Sequence, residues 1–330
     1  MSTLYLSIPG SKLRLNAGRY RVEKKGEVLI DVPAEGVSEV ILLGGTQITT
    51  QAMRHLLTHQ ARIHLMTQQE RHIGTLEPSS SRRPDLLRAQ VRRTDDPAFR
   101  LEVAKTIVGG KLENARTVLT RLQREHPNAT LTAEAATFQR LTRETMQSVT
   151  TENEVRGLEG IAAQAYFAAV AEIVPADWRF TTRRRRPPPD PVNAMLSFGY
   201  TLVLGRVISA LHTAGLHPGI GCLHVSHGAR PALALDLMEE YRAAIIDRMV
   251  LRIVQRGQIN PADFTSTEQG CRFGNTARDQ FIRLFEARMR DQITHENTTQ
   301  TYARVIRSQA RNFAALIRGE TSTYTPLRIR

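Results

Sequence analysis

Three carboxylates, Asp236, Glu239 and Glu240, fall within the stretch Ala232-Leu233-Ala234-Leu235-Asp236-Leu237-Met238-Glu239-Glu240-Tyr241-Arg242. In a helix they stand at i, i+3 and i+4 and share one face. Such a group repels itself unless a cation or an arginine answers it, and the positive end of the helix dipole relieves only part of that repulsion. The preceding loop, Leu216-His217-Pro218-Gly219-Ile220-Gly221-Cys222-Leu223-His224, brings imidazole to the same neighbourhood. Carboxylate oxygens with an imidazole are ligand chemistry for Mg²⁺ or Mn²⁺, and the nitrogen tilts the choice toward Mn²⁺. Zinc would ask for more His or Cys. A further acid, Glu159, lies between glycines in Arg156-Gly157-Leu158-Glu159-Gly160. That segment sits inside a helical pattern, where each glycine costs ~1 kcal/mol relative to alanine. Taken alone, it is explained by tight helix packing at Gly157 and Gly160 with Glu159 solvated.

Acidic helix faces are common, and the charge of the whole chain is what gives this one weight. The 330 residues carry 45 Lys+Arg against 32 Asp+Glu, a net +13. A basic chain that still gathers acids at one spot suits metal-assisted phosphodiester chemistry: arginines hold a phosphate backbone while a divalent ion neutralises the attacked phosphate. Only Lys12, Lys24, Lys25, Lys105 and Lys111 are lysines, so the cations are overwhelmingly guanidinium groups that pair bidentately with phosphate. Codon bias in a GC-rich genome produces the same enrichment, so position matters more than number. At 100° per residue Arg304, Arg307, Arg311 and Arg318 lie within about 60° of one another, with Tyr302, Ile306, Phe313 and Ile317 nearly opposite. A second group is Arg82, Arg83, Arg88, Arg92 and Arg93, and a third is the run 183–186, which includes Arg184 and Arg185. Each alone reads as a solvated face or loop; three together favour a nucleic-acid backbone. Aromatic residues are 5%, which points to duplex or shape recognition rather than base stacking.

The elements that must position these groups follow from periodicity. Residues 4–77 alternate with period two, as in Lys12-Leu13-Arg14-Leu15-Asn16, with a single helix over 49–60 where Met53, Leu56 and Leu57 recur. Pro78-Ser79-Ser80-Ser81-Arg82-Arg83-Pro84 marks a boundary. Beyond it the period becomes 3.6, and helices are expected over 97–125, 131–148, 152–174, 191–215, 233–257, 275–293 and 299–318. Two stretches resist: 179–191, where consecutive prolines forbid helix, and the Gly/Pro-rich 216–231. The fold class expected is therefore α+β and multi-domain. A small N-terminal β-rich domain (1–80) leads through a basic linker (81–96) to a larger all-helical domain (97–330) that carries the candidate catalytic residues.

Composition excludes several classes. An apolar content of 41% supports a packed core and rules out a disordered or collagen-like chain. Cys222 and Cys271 cannot build a disulfide framework or a four-thiolate zinc site. Residues 1–5 lack the pattern of a secretory signal. The apolar window 194–211 contains Ser197, Gly199, Gly205 and Arg206 and reads as a buried helix. A cytoplasmic protein with no membrane partner is expected.

Several ordered motifs, covering nearly the whole chain, resemble the CRISPR adaptation integrases (CRISPR-associated protein one). They are Lys111-x-x-Asn114-x-Arg116, Gly157-Leu158-Glu159-Gly160, Asp190-Pro191-Val192-Asn193, Gly215-Leu216-His217-Pro218 with Gly221-x-x-His224, and Leu235 to Arg242. The resemblance implies that Glu159, His224 and Glu239 are ligands of Mg²⁺ or Mn²⁺, with Asp236 beside them as a further ligand or an orienting acid. It places Arg230 and Tyr200 near the active site and the DNA. His212, His217 and His227 are taken as non-ligands, His227 being the rival to His224. Arg242 either pairs with the acids or is purely structural. Cys222 departs from the family, where an aromatic residue is common. The implied activity is spacer insertion into a CRISPR array: a 3′-hydroxyl attacks a repeat phosphodiester, in a homodimer bridged by a second adaptation protein (CRISPR-associated protein two) and acting on double-stranded DNA. The alternative is a non-enzymatic, basic architectural DNA-binding protein. A zinc hydrolase acting on a small substrate would need a third nitrogen or sulfur ligand, which these motifs do not place.

Overall fold

A computed structural model describes residues 2–68, 72–79, 83–126, 138, 148–185, 187–224, 228 and 230–329. The chain forms two compact units, Met1–Arg82 and Arg83–Arg330.

Among its described residues the first unit holds two four-stranded sheets and one α-helix. Strands β1 (Ser2–Leu6), β5 (Val37–Leu43), β7 (Arg62–Met66) and β8 (His72–Leu76) make one sheet in that order, β1 and β7 running parallel to β5 and β8 antiparallel to β7. Strands β4 (Glu27–Pro33), β3 (Arg19–Lys24), β2 (Lys12–Asn16) and β6 (Gln47–Ile48) make the other. Helix α1 (Thr50–Thr58), capped by Thr49, is the crossover that lets β5 and β7 pair in parallel. Alternation puts Leu13, Tyr20, Val22, Val40 and Ile63 into one shared core, as the period-two reading expects, and Leu56 of α1 packs into it.

In the second unit the stretch expected as a basic linker is a helix, α2 (Pro84–Asp95). Its leading Pro84 and its arginines disguise a buried stripe of Leu86, Gln90 and Thr94 at i, i+4 and i+8. There follow α3 (Pro97–Glu125), α4 (Glu152–Ile173), α5 (Pro191–Ala214), α6 (Ala232–Met238), α7 (Arg248–Gln255), α8 (Asn275–Arg290) and α9 (Tyr302–Arg318). Asp96, Thr151, Asp190 and Thr301 cap α3, α4, α5 and α9 with their side chains. The helix expected over 131–148 lies outside the described residues apart from 138 and 148. Helix α5 is apolar nearly all round and long enough to cross a membrane, but its residues form the centre of this unit's core. The unit is mostly rather than entirely helical. Two hairpins interrupt it, β9 (Phe264–Thr267) with β10 (Gly270–Phe273) and β11 (Gln292–His295) with β12 (Thr298–Thr301). The second hairpin takes the ends of two expected helices, because Asp291 and the left-handed pair Glu296 and Asn297 turn the chain.

The expected helix 233–257 is also broken. Backbone bonds from Glu239 to Asp236 and from Tyr241 to Met238 tighten the chain after α6, and residues Arg242–Asp247 then widen into a π-helical turn before α7. This change of pitch decides where the acids point.

Candidate active site

Asp236, Glu239 and Glu240 do not share a face; each looks a different way. Asp236, fully buried on α6, spends both oxygens on the His224 loop. Oδ2 accepts from the Cys222 and Leu223 amides (2.6 and 3.0 Å), and Oδ1 accepts from the His224 amide (2.8 Å) and faces its Nδ1 (2.7 Å). Gly221 makes that approach possible, since a Cβ there would stand 2.6 Å from Asp236 Oδ2 and 2.7 Å from the Leu233 amide. Asp236 therefore holds the His224 loop and its imidazole in place. With its proton on Nδ1, the His224 imidazole turns a bare Nε2 outward, the tautomer a metal ligand requires.

Glu239, just beyond α6 and 3% exposed at its side chain, meets Lys111 Nζ of α3 at 2.6 Å and Arg242 Nε at 2.9 Å. Lys111 also bonds Glu159 of α4, so one ammonium bridges carboxylates from two separate elements. Burial alone would push the Glu239 carboxyl up; Arg242 and Lys111, helped by His224, overcome it and hold the group down at about 2. Its Oε2 is buried and makes an ion pair but no directed hydrogen bond. Glu240 points the other way, toward residues 324–327, where burial raises its carboxyl to about 7.

Glu159 is partly exposed, and the glycines beside it are not packing contacts. A Cβ at Gly157 or Gly160 would meet nothing within 4 Å, and both residues face solvent. They bare the helix on either side of the carboxylate. Arg156, one turn earlier, donates to the Leu223 carbonyl at 2.8 Å and ties α4 to the His224 loop.

Tyr200 is buried at the wall of the site. Its hydroxyl donates to Asp247 (2.5 Å), and its ring lies beneath the Arg242 guanidinium at 4.5 Å and near that of Arg183 at 5.4 Å. Arg183 is half-buried, bonded to Asn193, Ser197 and the Arg184 carbonyl. Arg184 and Arg185 are exposed, and Arg185 lines a cleft together with Lys111, Glu159, Tyr166, Tyr200 and Arg242. Arg186 and His227 lie outside the described residues. Arg230 is exposed at the foot of α6, and Arg304, Arg307 and Arg311 are exposed along α9, whose Tyr302, Ile306, Phe313 and Ile317 are buried. Arg318, the fourth of that row, pairs with Glu320.

Three contributors escaped the residue-level reading. Lys111 and Asn114 appear there with no role of their own, Lys111 as one of five lysines and both within a motif. Gln90 of α2 does not appear at all, although it donates to the His217 and Ile220 carbonyls and accepts from the His217 amide, each at 2.9 Å, pinning the start of the His224 loop. No periodicity signals a polar side chain that serves a loop more than a hundred positions away.

Among the described residues no three His, Cys, Asp or Glu side chains close on one point at ligand distance, and the place between Glu159 and Glu239 is taken by the Lys111 ammonium. The donors nonetheless suit a hard divalent ion: two carboxylates that already converge on one cation, a buried oxygen without a directed partner, and an imidazole fixed through Nδ1.

The family model described as CRISPR associated protein Cas1 matches residues 4–287. The chain belongs to the Cas1 family. It is 32% identical over 332 residues to "CRISPR-associated endonuclease Cas1 3" of Thermus thermophilus, covering 99% of this chain and 95% of that one. The fold matches a solved "Cas6-RT-Cas1--Cas2 complex" with TM-score 0.86 and 24% identity, over 99% of this chain and 36% of the other. It matches a "Casposase bound to integration product" with TM-score 0.85 and 21% identity, over 98% and 93%. The strand-rich N-terminal unit followed by a mostly helical one is thus the Cas1 architecture.

Proposed function

We propose that this Cas1-family chain is a divalent-metal-dependent DNA integrase and endonuclease that inserts new spacers into a CRISPR array in the cytoplasm. Glu159, His224 and Glu239 hold the ion, Mn²⁺ or Mg²⁺. The observation that carries this is the meeting of Glu159 and Glu239 on one cation, beside an imidazole whose tautomer Asp236 selects. When bound, the ion supplies charge neutralisation at the attacked phosphodiester and lowers the pKa of the attacking hydroxyl.

The chain's own groups prepare that reaction. Arg242 and Lys111 keep Glu239 ionised although it is buried, so an acceptor is ready at any physiological pH. Asp236 orients His224. Tyr200, anchored by Asp247, holds Arg242 over its ring and fixes the direction from which Arg242 meets Glu239. The bare backbone at Gly157 and Gly160 lets a sugar-phosphate strand come close to Glu159, while Arg185, Arg184 and Arg230 offer exposed guanidinium groups to it. Arg304, Arg307 and Arg311 add a sequence-independent hold on duplex phosphates.

Two strand ends require two active sites, which fits a homodimer joined to a CRISPR-associated protein two. The fold neighbour named as a Cas1–Cas2 complex and the one named as bound to an integration product support DNA and that partner for this chain. The test is strand transfer of a 3′-hydroxyl duplex into a repeat-bearing DNA with Mn²⁺ or Mg²⁺. Glu159→Gln and His224→Ala should abolish transfer while leaving duplex binding in chelator intact. Full activity in either variant overturns the assignment, and DNA affinity indifferent to divalent ions with no binding heat would favour an architectural role.

A further inference from the structure

The acid that turns away from the cleft is as fully engaged as those that face it. Glu240 accepts from the Tyr324 hydroxyl, the Leu327 amide (2.8 Å) and Gln309 Nε2 (3.1 Å), and the same Gln309 nitrogen reaches the Thr325 carbonyl (2.7 Å). Asn114, wholly buried on α3, donates to the Glu240 carbonyl (2.9 Å) and the Leu327 carbonyl (2.8 Å) and accepts from the Ile329 amide (2.8 Å). One turn earlier, Gly110 leaves room for Pro326: a Cβ there would stand 2.6 Å from the proline Cβ. Residues 324–329 therefore lie across α3 at Gly110, directly before Lys111, and at the same time grip Glu240, directly after Glu239.

We infer that residues 324–329 act as a strap that holds Lys111 and Glu239 in register, with Asn114 and Glu240 as positioning residues of the catalytic centre. Apolar packing alone would anchor the strap through Leu327, which is fully buried. The added hydrogen bonds are directional, and a buried carboxylate with three donors is costly to rearrange, so they fix orientation where packing fixes only proximity. The tight turn and π-helical segment around Glu239 give up regular helical bonds, and the Asn114 bond to the Glu240 carbonyl supplies an external one at that point.

This inference rests on Glu159, His224 and Glu239 being the metal ligands, and its test separates the two. Mn²⁺ affinity of the full chain without DNA is read from the electron paramagnetic resonance of free ion, and Mn²⁺ dependence is read from strand transfer. Tyr324→Phe, Asn114→Ser and a chain ended after Ser322 should raise the Mn²⁺ half-saturation, about 10-fold for the shortened chain, as loss of outer-sphere support does elsewhere. Duplex affinity in chelator should change less than about 2-fold, which a general loss of folding would not allow. If the shortened chain does not fold, the two point variants decide. Unchanged half-saturation in folded strap variants, with Mn²⁺ binding lost in Glu159→Gln and Glu239→Gln, overturns the strap alone. Mn²⁺ binding that survives Glu159→Gln and Glu239→Gln overturns the ligand assignment and the strap with it.

Discussion

Lys111 does at the scale of one residue what a bound ion would do: it offsets two carboxylates that would otherwise repel each other. Replacing it exposes that repulsion. Lys111→Ala leaves buried Glu239 with Arg242 as its remaining partner and should cost about 3 kcal/mol of stability in chelator, measured by urea unfolding. Added Mn²⁺ should restore more stability in that variant than in the parent chain. Asp236 acts one step further out. Asp236→Asn keeps the shape but presents an amide that cannot accept all four donors, and the metal affinity should fall about 10–100-fold, measured by titration calorimetry. The residue-level reading singled out Glu239 and the imidazole-bearing loop because carboxylates beside an imidazole announce metal chemistry, whereas Glu159 and the choice of His224 came only with the family resemblance. It grouped Glu240 with them because an unbroken helix puts i, i+3 and i+4 on one face. At the break after α6 the Glu240 carbonyl accepts from Asn114, a partner that lies outside any local window.

Element by element, the sequence was most readable where a face is repeated. α3, α4, α5 and α9 appear within about three residues of their expected limits, because long apolar stripes and side-chain caps mark them. Helix α2 did not, since two of its three buried positions, Gln90 and Thr94, are polar and bury themselves by hydrogen bonding. Gln90→Ala removes three bonds to the His217–Ile220 backbone and should cost about 1–3 kcal/mol, read from urea unfolding, with faster amide exchange at His217. In the first unit, burial holds His72 below the ordinary imidazole value, and burial together with His59 does the same for His55. An unfolded imidazole takes a proton near pH 6.5 and these folded ones only lower, so their stabilisation is present above pH 6.5 and is lost as pH falls through the folded values. Amide exchange in α1 and β8, corrected for its intrinsic pH dependence, should therefore accelerate between pH 7 and 5.

For the whole molecule, the net charge of +13 forecasts salt-sensitive binding to polyanions more securely than any site assignment. If Arg304, Arg307 and Arg311 each hold a phosphate, replacing all three with alanine should flatten the slope of log affinity against log salt by about 3. An unchanged slope would place the duplex elsewhere. Stripping divalent ions should leave circular dichroism and a cooperative melt intact, since Lys111 and Arg242 already balance the buried acids. The two-part architecture was legible from the switch of period near residue 78, whereas the hairpins 264–273 and 292–301 were not, being built of four-residue strands too short to show a period.

The widened turn at Arg242–Asp247 carries one more implication. A π-helical turn is an α-helix with a surplus residue, so the chain through this region is out of phase with its own downstream half. Deleting a single alanine there, Ala243 or Ala244, would let the ladder close regularly and swing everything before it by about 100° relative to α7. A lesion that removes neither charge nor ligand would then disarm the enzyme by misaligning the parts it already has.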